Sequence, residues 1–184
     1  MEVRAATEVP WSDVEGLFAD GGDPSTCSCQ WFRMSGPAFE ALSDSERRDR
    51  LRAECAGPEP GPGVVALRDD VPVGWCGVGP MSGYPRLGRS PLLRGTSADW
   101  AVTCFVVPER FRRQGIARAL IAGAVDHARA SGADSLVAVP VDVAARPAAT
   151  AAELYHGPLA LFLEAGFTEV ARPSAARAVV RLDL

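Results

Sequence analysis

An apolar run, Trp100-Ala101-Val102-Thr103-Cys104-Phe105-Val106-Val107, leads through Pro108 into a basic turn around Gly115 and then into a helical pattern from Ile116. No other stretch restricts the fold as much. The run is rich in β-branched and aromatic residues and short enough to be a buried strand. Pro108 ends it, because proline has no N–H to give to a ladder. Ile116, Leu120, Ala124, Val125 and Ala128 then recur at helical spacing, while Arg118, Asp126 and Arg129 fall toward another face. The helix is predicted to stop near Ser131-Gly132. A second apolar run from Ser135 to Val141 completes a strand-helix-strand unit, whose strands should be parallel and joined by a right-handed crossover.

A helix that begins after this turn aims its first, unpaired N–H groups and the positive end of its dipole into the turn, which makes an anion site. Arg112, Arg113 and Arg118 add charge. The matching ligand is a phosphate or pyrophosphate. The turn holds neither of two common phosphate-loop patterns: GxxxxGK followed by Ser or Thr is absent, as is GxGxxG. The chain contains no Lys, so all 19 of its basic side chains are Arg. By residues alone, an ordinary crossover that happens to carry arginines stays open.

Composition narrows the class. With 184 residues and 47% hydrophobic content, a core of ordinary size fits a single domain over 1–184. No run approaches the roughly 18 apolar residues of a membrane span. Glu2, Arg4 and Glu8 interrupt any secretory signal, so a cytoplasmic protein without membrane contact is expected. A net charge of -4 weighs against a nucleic-acid binder. The absence of Lys and Asn beside many Ala, Gly and Pro suggests a GC-rich bacterial genome. Cys27, Cys29, Cys55, Cys76 and Cys104 are odd in number, against a disulfide framework. His127 and His156 stand far apart, and no metal site is expected.

Around the central unit, Glu2 to Ala6 reads as a strand, and Ser12-Asp13-Val14-Glu15 as a capping box opening a helix through Phe18. Ser43-Asp44-Ser45-Glu46 opens a second helix, to about Cys55, stopped by Gly57-Pro58. Val64–Arg68 and Val71–Val78 flank Asp69-Asp70 as a hairpin. The Gly-, Pro- and Arg-rich loop from Met81 to Ser97 is long enough to be functional or mobile. Pro158 and Gly166 bracket a short helix, after which Phe167 can pack back on Phe162, and Ala178–Leu182 forms a last strand.

Arg112-x-x-Gly115-x-Ala117 resembles the pyrophosphate-binding signature of the GNAT acyl-CoA N-acyltransferases, an Arg or Gln followed at fixed spacing by Gly and by Gly or Ala. Val73-Gly74-Trp75-Cys76 is similar to the family's third strand, and Leu161–Phe167 to its late helix ending in Gly-Phe. The resemblance covers nearly the whole chain in order. It implies an α/β fold with a mixed, mostly antiparallel sheet, one parallel βαβ unit at the cofactor slot, and flanking helices. It also implies acetyl-CoA as cofactor, held by Arg112, Arg113, Gln114, Gly115, Ile116, Ala117 and Arg118 at the turn. The backbone of Phe105, Val106 and Val107 would lie along the pantetheine arm in the slot left where two strands splay.

The activity implied is N-acetyl transfer to a primary amine, of a small molecule first and of a protein as an alternative, by direct attack in a ternary complex. A sensor that keeps the cofactor site without turnover is the second class, because the tyrosine used by many members as general acid falls at Phe162. Tyr155 is the nearest replacement. Asp99 is a candidate base at a strand start; Ala101 and Thr103 stand where some members carry a carboxylate. Trp31 and Phe32 are candidates for the acceptor wall, with core packing as the alternative, and Arg33, Arg86, Arg89 and Arg94 for binding a substrate carboxylate. A monomer or homodimer is expected.

Overall fold

The alternation of apolar residues along the strands distributes side chains to two opposite cores, and the sheet is therefore covered on both faces. In the computed structural model, which describes residues 1–19, 22–150 and 153–184, the N-terminal half runs β1 (Glu2–Ala5), α1 (Trp11–Phe18), α2 (Asp23–Cys27), α3 (Gly36–Glu40), α4 (Asp44–Cys55), β2 (Gly63–Arg68) and β3 (Val71–Pro80). Then come α5 (Pro85–Gly88), β4 (Trp100–Val106), α6 (Ile116–Ala130), β5 (Ser135–Ala138), α7 (Leu159–Glu164), β6 (Thr168–Ser174) and β7 (Arg177–Asp183). The seven strands form one sheet in the order β1-β2-β3-β4-β5-β7-β6. Only β4 and β5 pair in parallel; the other neighbours are antiparallel. This is the mixed, mostly antiparallel sheet with one parallel βαβ unit expected from the sequence.

Ile116, Leu120, Ile121, Ala124, Val125 and Ala128 of α6, with Leu159 and Phe162 of α7, cover one face; α1, α4 and the 81–97 segment cover the other. Helix α6 presses so closely on β3 that a Cβ at Gly74 would stand 2.6 Å from Ile116 Cγ2. Asp69 and Asp70 both adopt positive φ (52° and 61°), as a two-residue turn of type I′ requires, and this closes the β2–β3 hairpin. Ser43 caps α4 as expected: its Oγ accepts from Glu46 N–H, and Glu46 returns a bond to Ser43 N–H at 2.7 Å, a box worth about 1 kcal/mol. At the end of α7, Phe167 N–H donates to Phe162 O at 3.1 Å, and the two rings meet edge to face with centroids 5.2 Å apart.

Three expectations need correction, and one strand was not foreseen. Ser12 does not cap α1; the helix starts at Trp11 with Pro10 at the cap, whose carbonyl accepts from Asp13 and Val14. Strand β5 ends at Ala138 rather than Val141. Pro140 cannot donate, and Val141 turns instead to isolated bridges with Pro158 and Arg177. Residues 81–97 fold into short turns that bury Tyr84, Leu87 and Leu93. Strand β6 had no apolar alternation to announce it, and most of its residues are exposed.

A bulge in β4 fixes the centre of the sheet. Phe105 pairs with Cys76 and Val102 with Val78, so Thr103 and Cys104 together oppose Gly77. The extra residue reverses which face each side chain meets. Trp100 and Val102 join the α6 core before it, and Phe105 joins that core after it; Ala101 and Cys104 face the other way.

Candidate active site

The parallel pairing of β4 and β5 consists of Trp100 with Leu136 and Ala101 with Val137. Beyond these positions the strands part, and the returning segment at Gly157–Leu159 takes the place beside Val141: Val141 N–H donates to Gly157 O, and Leu159 N–H to Val141 O. A cavity of about 1540 Å³ opens along the parted edge of β4. Phe105, Val106 and Val107 line it, as do Arg112, Arg113, Gly115, Ile116, Ala117, Arg118, Tyr155 and Trp31. The residues expected to hold the cofactor, Tyr155 and the acceptor-wall pair thus converge on one cavity, with two departures among them. Gln114 turns away, accepting from Arg68 at 2.6 Å and donating to Arg110 O at 3.0 Å. Phe32 is buried behind the wall, its ring 6.1 Å from Tyr155 and 5.3 Å from His156.

At one end of the cavity the 112–118 turn is exposed and positively charged. Arg113 and Gly115 have positive φ (59° and 79°), and Gly115 is the N-cap of α6. An added Cβ on Gly115 would meet no atom within 4 Å, so the glycine faces open space where the first N–H groups of α6 converge. Arg112 Nε donates back to Val107 O at 3.1 Å, tying the turn to the end of β4. Glu164 pairs with Arg118 at 2.5 Å on the exposed rim. A pyrophosphate fits the chemistry of this end: N–H donors, guanidinium groups and room for close backbone approach.

The other end comes from residues distant in sequence. Leu17, Phe18, Asp23, Cys27, Cys29, Trp31 and Phe39 approach from the N-terminal helices, and Leu154 and Tyr155 from the 153–156 turn. Trp31 meets Phe39 edge-on at 5.1 Å and carries the Arg86 guanidinium 3.7 Å from its ring centre. Tyr155 stacks against His156 at 4.2 Å. Burial, then the neighbouring Cys104, pushes the Tyr155 phenol above its ordinary value, which keeps it protonated. His156 is held neutral, its pKa pushed down to about 3 by burial and by Arg177.

Other candidates lie elsewhere. Phe162 is fully buried between Phe105 and Phe167. Asp99 accepts the Asp134 N–H at 3.0 Å, at the start of β4 and away from the cavity. Arg33 pairs with Glu54 at 3.0 Å, and neither it nor Arg86, Arg89 or Arg94 lines the cavity. Asp23, Cys29 and Cys104, which do line it, were missed as site residues. Cys104 directly precedes Phe105 in β4, but no spacing relative to the turn announces Asp23 and Cys29, which tertiary packing brings there. Among the described residues no group of three or more His, Cys, Asp or Glu could hold a metal ion, and no helix is long and apolar enough to cross a membrane.

A sheet opened at its parallel pair, with a basic glycine turn at the mouth of the opening, makes a slot for an extended ligand with an anionic end. The model of the acetyltransferase (GNAT) family matches residues 29–156, well over half of the sequence, and the chain belongs to that family, whose cofactor is acetyl-CoA. Its fold is similar to ribosomal-protein-alanine N-acetyltransferase from Brucella melitensis (TM-score 0.56, 19% identity, all of both chains covered). It is also similar to yncA, a putative acetyltransferase from Salmonella typhimurium solved with its cofactor acetyl-CoA (TM-score 0.57, 16% identity, 100% of this chain and 93% of that one). A third is an N-acetyltransferase from Staphylococcus aureus Mu50 (TM-score 0.56, 15% identity, 99% and 97% covered). No curated protein matches the sequence.

Proposed function

We propose that this chain, as a single catalytic domain over 1–184, transfers an acetyl group from acetyl-CoA to the primary amine of a small molecule by direct attack. The observation that carries this reading is the shared cavity, which joins the α6 turn, the free edge of β4 and Tyr155. Bound acetyl-CoA would supply an activated acetyl thioester. Arg112, Arg113, Arg118 and the first N–H groups of α6 hold its pyrophosphate, with Gly115 giving the backbone its close approach. The β4 edge at Phe105–Val107 aligns the arm, and one N–H there polarises the thioester carbonyl as charge develops on its oxygen.

Tyr155, kept protonated by its surroundings, gives its proton to the departing thiolate, while water takes the protons that the amine sheds before and during its attack. Asp23, at the acceptor end of the same cavity, draws a cationic amine toward the mouth. Holding both reactants in one cavity supplies much of the remaining acceleration. The test is release of free CoA from acetyl-CoA across a panel of primary amines, amino acids and peptide N-termini. Amine-dependent release with acetylated product supports the reading. Tight acetyl-CoA binding without release from any acceptor overturns it in favour of a sensor, and release only with peptides moves the acceptor to proteins.

A further inference from the structure

The 27–29 segment leaves α2 through two consecutive non-glycine residues in the left-handed region, Ser28 at φ 44° and Cys29 at φ 57°, a conformation that L side chains adopt at a cost. The consequence is to drive the Cys29 side chain inward, onto the β4 bulge. A Cβ on Gly77, the residue opposite the bulge, would stand 3.0 Å from Cys29 Sγ and 3.6 Å from the Cys104 nitrogen. The indole N–H of buried Trp75 donates to Cys29 Sγ at 3.3 Å, and Cys29 and Cys104 join the same core on this face of the sheet. Both residues line the cavity, Cys29 with 3% and Cys104 with 7% of its surface exposed.

Of the five free cysteines this is the pair built for chemistry. Hydrogen bonding from Cys104, and secondarily Arg33 and Trp75, lowers the Cys29 pKa against burial and the charge of Glu54, whereas Cys104 is raised by that same bond and by burial. Burial pushes Cys27 up to about 11, Cys55 up to about 12, and Cys76 up as well. A thiol whose pKa is lowered, beside a second thiol, is the arrangement of a peroxide-reactive dithiol.

We propose that Cys29 and Cys104 form an oxidisable dithiol in the cavity wall, which hydrogen peroxide converts to a disulfide. The Cys29 sulfur attacks one peroxide oxygen, the O–O bond breaks, and one water leaves as Cys29 becomes a sulfenic acid. The Cys104 thiol then attacks that sulfur, forming the S–S bond and releasing a second water. Two thiols have lost two electrons and two protons, and one peroxide has become two waters. The bridge would tie the 27–29 segment to the β4 bulge and change the cavity where the acetyl group is proposed to lie. The dithiol itself stands independently of acyl transfer.

Folded protein is treated with stoichiometric hydrogen peroxide, alkylated, and mapped by mass spectrometry. The expected result is a Cys29–Cys104 cross-linked peptide, two hydrogens lighter than the dithiol pair and restored by dithiothreitol. Cys104→Ser should abolish the cross-link and leave a Cys29 sulfenic acid that dimedone traps, while Cys55→Ser leaves the cross-link unchanged. Both thiols still alkylatable after peroxide in folded wild-type protein, or a cross-link through Cys27 or Cys76 instead, overturns the proposal. Wild-type mapping decides the matter even where a variant fails to fold. CoA release is followed in parallel, so loss of the cross-link and loss of the transferase reading are scored separately.

Discussion

The two ends of the cavity are built by opposite strategies. At the α6 end, the last residues of β4, the 112–115 turn and the first turn of the helix are contiguous in sequence, and what they offer is mostly backbone: N–H groups, a left-handed glycine, a free strand edge. At the acceptor end, Asp23, Cys29 and Trp31 come from one part of the chain and Leu154 and Tyr155 from another, and what they offer is side chains. A backbone site tolerates wide sequence divergence as long as the glycine and the helix start remain. A side-chain site changes with each substitution, so on the proposed reading this is the end that would set acceptor specificity.

The comparison breaks first at Gly115. Gly115→Glu forces a side chain into the left-handed region and sets a carboxylate against the proposed pyrophosphate, a like-charge placement that costs several kcal/mol. Acetyl-CoA affinity should fall by about 100-fold or more. Calorimetry on folded variant that shows unchanged affinity removes the turn from the site. Tyr155→Phe should do the reverse, lowering kcat by roughly 10²–10⁴-fold while acetyl-CoA affinity stays put. An unchanged kcat on a true acceptor makes Tyr155 part of the wall and nothing more.

The acceptor end should also be the acid-sensitive one. His156 is held neutral in the fold, with its pKa lowered to about 3, but takes a proton in the unfolded chain near its ordinary 6.5. The unfolded state therefore binds the extra proton between these values, and stability falls as pH drops below about 6.5. Full expression of the shift would remove about 2 kcal/mol between pH 7 and pH 5. Urea unfolding at both pH values checks this, with His156→Phe expected to flatten the difference; an equally steep loss in that variant assigns the acid sensitivity to other groups. The smallest effect is expected at exposed Asp23, where Asp23→Asn should raise KM for a cationic amine by no more than about 5-fold, in keeping with a solvated charge, and leave acetyl-CoA binding alone. A change in acetyl-CoA affinity instead would place Asp23 at the wrong end.

The same contrast explains what could be read before the structure. The βαβ unit, the β2–β3 hairpin and the glycine-capped α7 are legible because each is carried by neighbours in sequence: an apolar run before Pro108, two aspartates between strands, a glycine before Phe167. Tyr155 was reached only through the family resemblance, as the tyrosine nearest to Phe162 at the family's acid position, and it lines the cavity. Asp23 and the Cys29–Cys104 pair had no such signal, because the left-handed turn at 28–29 is neither glycine nor asparagine. Phe32 and Trp31 look alike in sequence, yet one packs behind the wall and the other forms it. Adjacent residues on a turn point in different directions, and only the path of the backbone decides between them.

The central seam of the sheet is stitched at Trp100 and Ala101 and unstitched beyond them. On the proposed reading, an extended arm that hydrogen-bonds along Phe105–Val107 is, in effect, a missing strand, and loading the protein would complete its own architecture. Folding and occupancy become one equilibrium: a ligand at about a hundred times its Kd adds about 2.7 kcal/mol to the loaded state. Those amide protons of residues 104–107 that do not pair with β3 should exchange quickly in the free protein and slowly in the loaded one. Thermal stability then serves as a gauge of donor supply, with a chain starved of its thioester melting earlier than the same chain at work.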